Sequence, residues 1–396
     1  MSAYDYDIVV VGGGPAGAAA AKAAVQGGLR TLLIERQKMP RHKSCSGMIM
    51  PVAEQYIEEY FGPLPDDVLA EPKTWKGAQI HLRGGRVFEA SATFKNAWRD
   101  RLDNWLCSES GAETWDSTRL VDFAEWKDRV ELVCKRGDEE MRLSTPVMVA
   151  ANGGLSRIVN KIDPTFNLLE WHPWGRANCH QDYRRGSAEL DPSYYHLFFE
   201  PGIGLMPTLY FKDDLIVTDT IVWPGEKVDP MRQKYTKWLT DNHGFKPGEP
   251  VMTLGCRAVP NSLLNSFCFG TDRVMVAGEA AGFLNMFFEG ISSAVATGYL
   301  AGQAAVTCGE HPPGPTYRKS VKPERERTAR EWYAPSLMTG KAAPYLKEGL
   351  MTAPLPVKLR TVADAYAWLR RLGYKNWVQL ELVSRRIFNR GFNYRA

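Results

Sequence analysis

The chain has 396 residues, enough for two or three domains. Its 44% hydrophobic and 24% charged residues exclude a disordered or collagen-like chain, and a net charge of +4 is too small to point to nucleic acid. No run approaches the ~18 consecutive apolar residues of a membrane span. The start, with Asp5 and Asp7 ahead of a short apolar run, is unlike a secretory leader, so the expected location is cytoplasmic.

Residues 7–11, Asp-Ile-Val-Val-Val, read as a parallel strand buried on both faces. Gly12, Gly13, Gly14, Pro15, Ala16 and Gly17 follow, then an alanine-rich helix over 18–25 that Gly27 and Gly28 stop. Thr31–Glu35 is a second strand, completing a βαβ unit. Gly12 permits a tight turn, Gly14 lets a diphosphate approach the helix N-terminus, and Gly17 lets helix pack on strand. Glu35, 23 residues after Gly12, ends the strand where a carboxylate can accept bonds from ribose hydroxyls. Strand, glycines, helix, strand and acid in register predict a dinucleotide site without separating NAD from FAD.

Further along, 77–82, 86–90, 194–200, 205–211 and 215–222 read as strands joined by short turns. They predict an inserted antiparallel sheet, dense in Trp171, Trp174, Tyr194, Tyr195, Phe198, Phe199, Tyr210, Phe211 and Trp223. Most of these rings belong in a core, and a few line an apolar cavity. The seven cysteines are scattered and form no Cys-x-x-Cys, which argues against a disulfide framework or zinc. Cys179 and His180 are adjacent, so on a strand they point to opposite faces and read as structural. The histidines show no His-x-x-x-His spacing, and no metal is expected.

Strand-like 272–277 leads into Gly278-Glu279-Ala280-Ala281-Gly282, and Glu289-Gly290-Ile291 opens a small-residue helix. These segments resemble the second FAD motif of the flavoprotein hydroxylase and geranylgeranyl reductase superfamily. Pro40–Gly47 resembles the Pro-Arg-x-Lys-x-Cys-x-Gly run of geranylgeranyl reductases. Arg99-x-x-Leu102-Asp103-x-x-Leu106 with Gly111-Ala112, and Val147–Ser156, match further family segments, so the resemblance spans about residues 5–305.

The resemblance implies an α/β fold: a Rossmann-like FAD-binding domain (1–75, 95–165 and 265–310), an inserted antiparallel-sheet substrate domain (76–94 and 166–264) and a C-terminal helical region (311–396). The implied cofactor contacts are Gly12, Gly14, Pro15, Ala16, Gly17, Glu35, Arg36, Ser46, Gly47, Met48, Arg99, Leu120, Gly278, Glu279, Gly290 and Ile291. The helix opened by Ile291 would aim its N-terminus at the flavin N1–C2=O edge. Residues 44–48 would close one side of the ring, with Arg41 and Lys43 favouring an anionic reduced flavin. Cys45, a candidate catalytic residue, would tune the flavin or relay a proton, or simply fill space. His42 is titratable but reads as a surface residue.

Three departures stand out. Asn152 replaces an Asp, Glu279 replaces an Asp, and the usual Pro-x-Gly-x-Gly loop reads Met286-Phe287-Phe288-Glu289-Gly290. Phe288, the second candidate catalytic residue, would narrow the space where oxygen reacts or stack on substrate; alternatively Phe287 and Phe288 pack under the sheet. Tyr195-His196-Leu197-Phe198-Phe199-Glu200-Pro201 matches the reductases' Tyr-x-Trp-x-Phe-Pro pattern only loosely.

Past His311–Pro315, a charged helix is expected from Tyr317 to Trp332. Residues 355–396 carry a net +7 and leave −3 for the rest of the chain. The tail's apolar stripe is expected to pack on the FAD domain, with a peripheral membrane contact as the alternative. No second dinucleotide unit is present, so NAD(P)H would bind transiently, or a ferredoxin-like partner would deliver electrons. The expected activity is reduction or desaturation of a carbon–carbon bond of an apolar or conjugated small molecule by hydride exchange at flavin N5. The alternatives are a flavin monooxygenase acting on an aromatic substrate, a flavin halogenase (although its Gly-Trp-x-Trp-x-x-Pro signature is missing) and a flavin-binding partner without turnover.

Overall fold

The structure is a computed structural model that describes residues 4–338 except 83, 91, 167–176, 201, 223–225, 286 and 287, with backbone alone at 263, 264 and 332–338. The expectations for Trp171, Trp174, Trp223, Phe287 and the basic tail lie outside the described residues.

Five parallel strands form the first sheet, in the order Val274–Val276, Met148–Ala150, Ile8–Val11, Thr31–Ile34 and Glu113–Trp115. The four residues of Ile8–Val11 are all buried, as a strand covered on both faces requires. The helix Pro15–Gln26 crosses one face and packs on the helix Ile291–Thr307. Their axes approach closely because small residues meet: a side chain at Gly298 or Gly302 would strike the backbone carbonyls of Ala16 or Ala20. A three-stranded antiparallel meander, Thr118–Glu125, Val130–Arg136 and Glu139–Thr145, lies alongside.

The second large sheet has seven strands, ordered Lys246–Ala258, Ala177–Ser187, Leu215–Val222, Thr208–Lys212, Tyr194–Phe199, Gly77–Leu82 and Arg86–Ala90. Its neighbours are antiparallel except Tyr194–Phe199 and Gly77–Leu82, which run parallel. That pair is joined through a long excursion into the first sheet, so no hairpin dictates its direction. Two of the seven strands escaped the sequence reading. Ala177–Ser187 is polar on both faces, and Lys246–Ala258 contains Pro247, Gly248 and Pro250, which read as breakers but are tolerated at a sheet edge.

The helix Val228–His243 covers the outer face of this sheet, burying Tyr235 and Leu239 against Phe198, Ile216 and Phe245. A small sheet of Met48–Ile49, Phe94–Ala97 and Leu69–Trp75 pins the segment after Gly47 between the two large sheets. The charged segment expected as one helix over 317–332 forms two, Gly314–Ser320 and Lys322–Met338. Among the described residues no helix is long and apolar enough to cross a membrane.

Candidate active site

The first glycine turn is tight for visible reasons. Gly12 has φ +116°, and a side chain at Gly17 would run into the Gly12 carbonyl. Gly14 is open: a Cβ there would have Arg41 Nη2, at 3.8 Å, as its only neighbour within contact range. Pro15 and the buried Ala16 begin the helix, whose N-cap Gly14 offers no side-chain cap to the first-turn amides. Glu35 is buried; its Oε2 accepts from Gly13 N at 2.9 Å and its Oε1 from Gln37 N at 3.0 Å. Arg36 is exposed, and half-buried Leu120 lies on the strand whose Thr118 N donates to Glu35 O.

Arg41 departs from its expected role. Its guanidinium sits 3.2 Å from Glu35 Oε2 and 3.1 Å from Asp103 Oδ2, and it donates to Gly13 O. Arg99 clamps the same Asp103 with bonds of 3.0 and 2.9 Å. Two cations and two carboxylates thus neutralise one another behind the glycine turn, so Arg41 supplies no free positive charge for a reduced ring. Lys43 is partly exposed and 3.9 Å from Glu279 Oε2, and His42 lies 3.5 Å from Asp100 on the surface.

The second motif touches the first. Gly278 has φ +65°, and a Cβ on it would lie 2.9 Å from Ala16 Cβ. Glu279 lies against Gly154, just past Asn152, whose Oδ1 accepts from Ser156 Oγ at 2.7 Å. Gly290 is the N-cap of the helix that Ile291 opens. The Glu289 carboxylate occupies this helix's first turn, accepting from Ser292 N at 2.8 Å and from the Ser292 hydroxyl. The N-terminus expected to face a flavin edge therefore already carries an anion. Half-buried Phe288 adopts φ +56°, a left-handed conformation that glycine takes freely and phenylalanine does not.

Residues 44–48 lie against one face of the seven-stranded sheet. Cys45 N donates to Gln181 Oε1 at 2.9 Å, Gly47 N to the Cys45 thiol, and Ala97 N to Gly47 O. Gly47 has φ +70°, and a side chain there would collide with the Ala97 carbonyl. Met48 begins the small sheet. The Cys45 thiol also lies beside the Arg99 guanidinium, and Ser46 beside the Tyr195 hydroxyl.

Strand register places Gln181, Tyr183, Asp219, Thr208, Tyr210, Lys212 and Tyr195 on this same face. All are buried, and all but Lys212 are joined by hydrogen bonds. Tyr195 donates to Thr208 at 3.1 Å, Thr208 to Asp219 Oδ2 at 3.0 Å, and Tyr210 to Asp219 Oδ1 at 3.4 Å. Gln181 Nε2 donates to Tyr210 at 3.1 Å, and Tyr183 to Gln181 Oε1 at 3.2 Å. Burial pushes the Asp219 carboxyl up to about 6, against the pull of these hydrogen bonds. Burial, then the Asp219 charge, raises Tyr195 and Tyr210, which keep their protons. Lys212 Nζ donates to Asn96 Oδ1 and Ala97 O, both at 2.7 Å, lies 5.0 Å from the centroid of the Trp98 ring, and falls to about 7 through burial.

The sequence reading noted Tyr195 and Tyr210 only as aromatic and missed the rest. The available signal was an acid inside an otherwise apolar strand, Leu-Ile-Val-Thr-Asp-Thr-Ile-Val over 215–222.

Comparison with known proteins agrees with this architecture. A family model described as FAD dependent oxidoreductase matches residues 7–153. Geranylgeranyl diphosphate reductase of Rhodobacter capsulatus is 28% identical over 355 residues, covering 82% of this chain and 79% of the relative. The geranylgeranyl bacteriochlorophyll reductase-like structure from Thermoplasma acidophilum superimposes with a TM-score of 0.71 at 17% identity, over 91% of this chain and 96% of that one. Aklavinone-11 hydroxylase, solved with FAD and aklavinone, gives 0.62 at 19% identity, over 84% of this chain and 69% of that one. The class these features define is the FAD-dependent oxidoreductases. Within it, the chain is related to geranylgeranyl reductase and shares its fold with flavoprotein hydroxylases.

Proposed function

We propose that the protein reduces or desaturates a carbon–carbon bond of an apolar or conjugated small molecule. The observation that carries this reading is the buried Asp219–Thr208–Tyr195 chain, whose Tyr195 end lies beside Ser46 of the loop 44–48. Reducing a double bond needs a hydride and a proton; a bound flavin supplies hydride exchange. The protein would supply the proton. Asp219, with its carboxyl raised to about 6, would take up and release that proton in mildly acidic solution, and Tyr195 is the member of the chain beside the loop. The surrounding Trp75, Tyr195 and Tyr210 rings would exclude water from that proton.

The residues fit an FAD. The open backbone at Gly14 and the uncapped first turn suit a diphosphate, and Glu35 Oε1 suits a ribose hydroxyl. Gly278 and Glu279, packed on the same helix, suit the ribityl stretch, and residues 44–48 suit one side of the ring. NAD(P)H or a carrier protein would deliver the electrons. The name of the Rhodobacter capsulatus relative makes an isoprenoid diphosphate the first substrate to try.

The test is single turnover of anaerobically reduced protein with geranylgeranyl diphosphate and shorter isoprenoid diphosphates. Tyr195→Phe and Asp219→Asn should slow product formation ~100-fold or more while flavin stays bound. Wild-type rates in both variants would overturn the proton assignment. Oxygen-dependent hydroxylation of an aromatic substrate, without any alkene reduction, would overturn the reaction class in favour of the hydroxylases that share the fold.

A further inference from the structure

Cys179 and Cys256 stand directly opposite each other on antiparallel neighbouring strands. Side chains so placed project from the same face of the sheet. The face is that of Gln181, two residues along, which holds the loop 44–48. Directly opposed residues of an antiparallel pair have Cα atoms ~4.5–5.5 Å apart, inside the range a disulfide spans. Both cysteines are free thiols, half-buried, and close enough to act on each other electrostatically.

A second observation points into the pair. Ser44 is nine-tenths buried, its hydroxyl makes no hydrogen bond among the described residues, and it lies near both thiols. Lys43 and Glu279 act on Cys256 from the same side. The pair therefore sits where the second glycine motif, the loop 44–48 and the seven-stranded sheet converge.

We propose that Cys179 and Cys256 form a second redox centre, a dithiol that closes to a disulfide and reopens beside the loop 44–48. Closure breaks both S–H bonds, forms one S–S bond, and releases two protons and two electrons. A bound oxidised flavin would accept the two electrons together with protons; this part rests on the function proposed above, whereas the pairing does not. The pair is asymmetric, with Cys256 the readier thiolate. The neighbouring Cys179 thiol and then Ser44 lower the pKa of Cys256, while Cys256 and burial raise that of Cys179.

The experiment uses the full chain as purified. Reduced protein is incubated anaerobically with glutathione disulfide, its remaining thiols are alkylated, and the peptides are mapped by mass spectrometry. The expected result is a peptide linking Cys179 to Cys256 that reopens with dithiothreitol. Alkylation of all seven cysteines, or a link from Cys45 to either partner, overturns the proposal.

In the flavin-loaded, oxidised protein, anaerobic dithionite titration should consume two electrons beyond those that bleach the flavin. The excess should be lost in Cys256→Ser and in Cys179→Ser. A linked peptide without the excess overturns electron exchange with the flavin and leaves a structural bond. Protein that binds no FAD defeats the proposed function, and the peptide map still decides the pairing.

Discussion

Removing Asp103 isolates one buried charge, and the structure sets the expected size of the effect. Asp103 is fully buried and takes two bonds from Arg99, at 3.0 and 2.9 Å, besides the ion pair with Arg41 at 3.1 Å. Burial opposes the charge on Arg99, yet Asp103 and then Cys45 outweigh it and hold the guanidinium ionised. In Asp103→Ala, Arg41 keeps Glu35 at 3.2 Å, but Arg99, only 6% exposed, has no carboxylate left. One orphaned buried ion costs ~3–5 kcal/mol, a large part of the ~5–15 kcal/mol that stabilises a typical domain. The double variant Arg99→Met/Asp103→Leu removes both charges and should recover most of that loss, because apolar replacement of a buried pair is often neutral. Urea unfolding followed by tryptophan fluorescence and far-UV circular dichroism compares the three proteins. A single-variant cost below ~1 kcal/mol, the range of exposed pairs, would falsify the reading. So would a double variant no more stable than Asp103→Ala.

Titration gives two opposing slopes. Asp219, pushed up to about 6 by burial, binds its proton more tightly folded than unfolded, so its contribution to stability declines as pH rises from ~4 through 6. Asp219→Asn should flatten that slope in urea titrations at pH values across this window; an unchanged slope would mean the carboxyl is not desolvated. His81 and His196, 3.0 Å apart behind the sheet and lowered by burial to about 3 and about 4, run the other way. They stay neutral in the fold and cost ~2 kcal/mol each at pH 5, with stability lost as pH falls below ~6.5. His81→Gln should remove part of the acid sensitivity, and a wild-type acid profile would count against it. Phe288→Gly relieves a left-handed φ of +56° and should raise stability by ~1 kcal/mol, visible as a higher Tm; a lower Tm would show that the ring's packing outweighs the strain. Gly17→Ala drives a methyl into the Gly12 carbonyl and should abolish copurified flavin, whereas wild-type flavin absorbance would contradict the tight-turn argument.

The candidate site divides by how local its causes are. The turn from Gly12 to Gly17, its helix and Glu35 follow from neighbours in the chain: apolar run, glycine spacing and an acid at a strand end. The second motif was equally legible, since Gly278, Glu279 and Gly290 lie within thirteen residues and Gly278 takes a positive φ. Arg41 was misread because its charge was counted without its partners. Asp103 lies 62 positions away, and only packing of the Arg99–Glu109 helix brings the carboxylate to it.

What the chain alone determined is the parallel sheet with its two glycine motifs, because periodicity and turn chemistry act over a few residues. What only the tertiary structure decided is the polar face of the seven-stranded sheet. Gln181, Asp219, Thr208, Tyr210 and Tyr195 come from four strands, and only Asp219 stands out within its own. Strand register aligns them, and burial beneath the loop 44–48 turns an ordinary carboxyl into one near 6. Desolvation and cross-strand pairing are properties of the assembled sheet, and no local pattern encodes them.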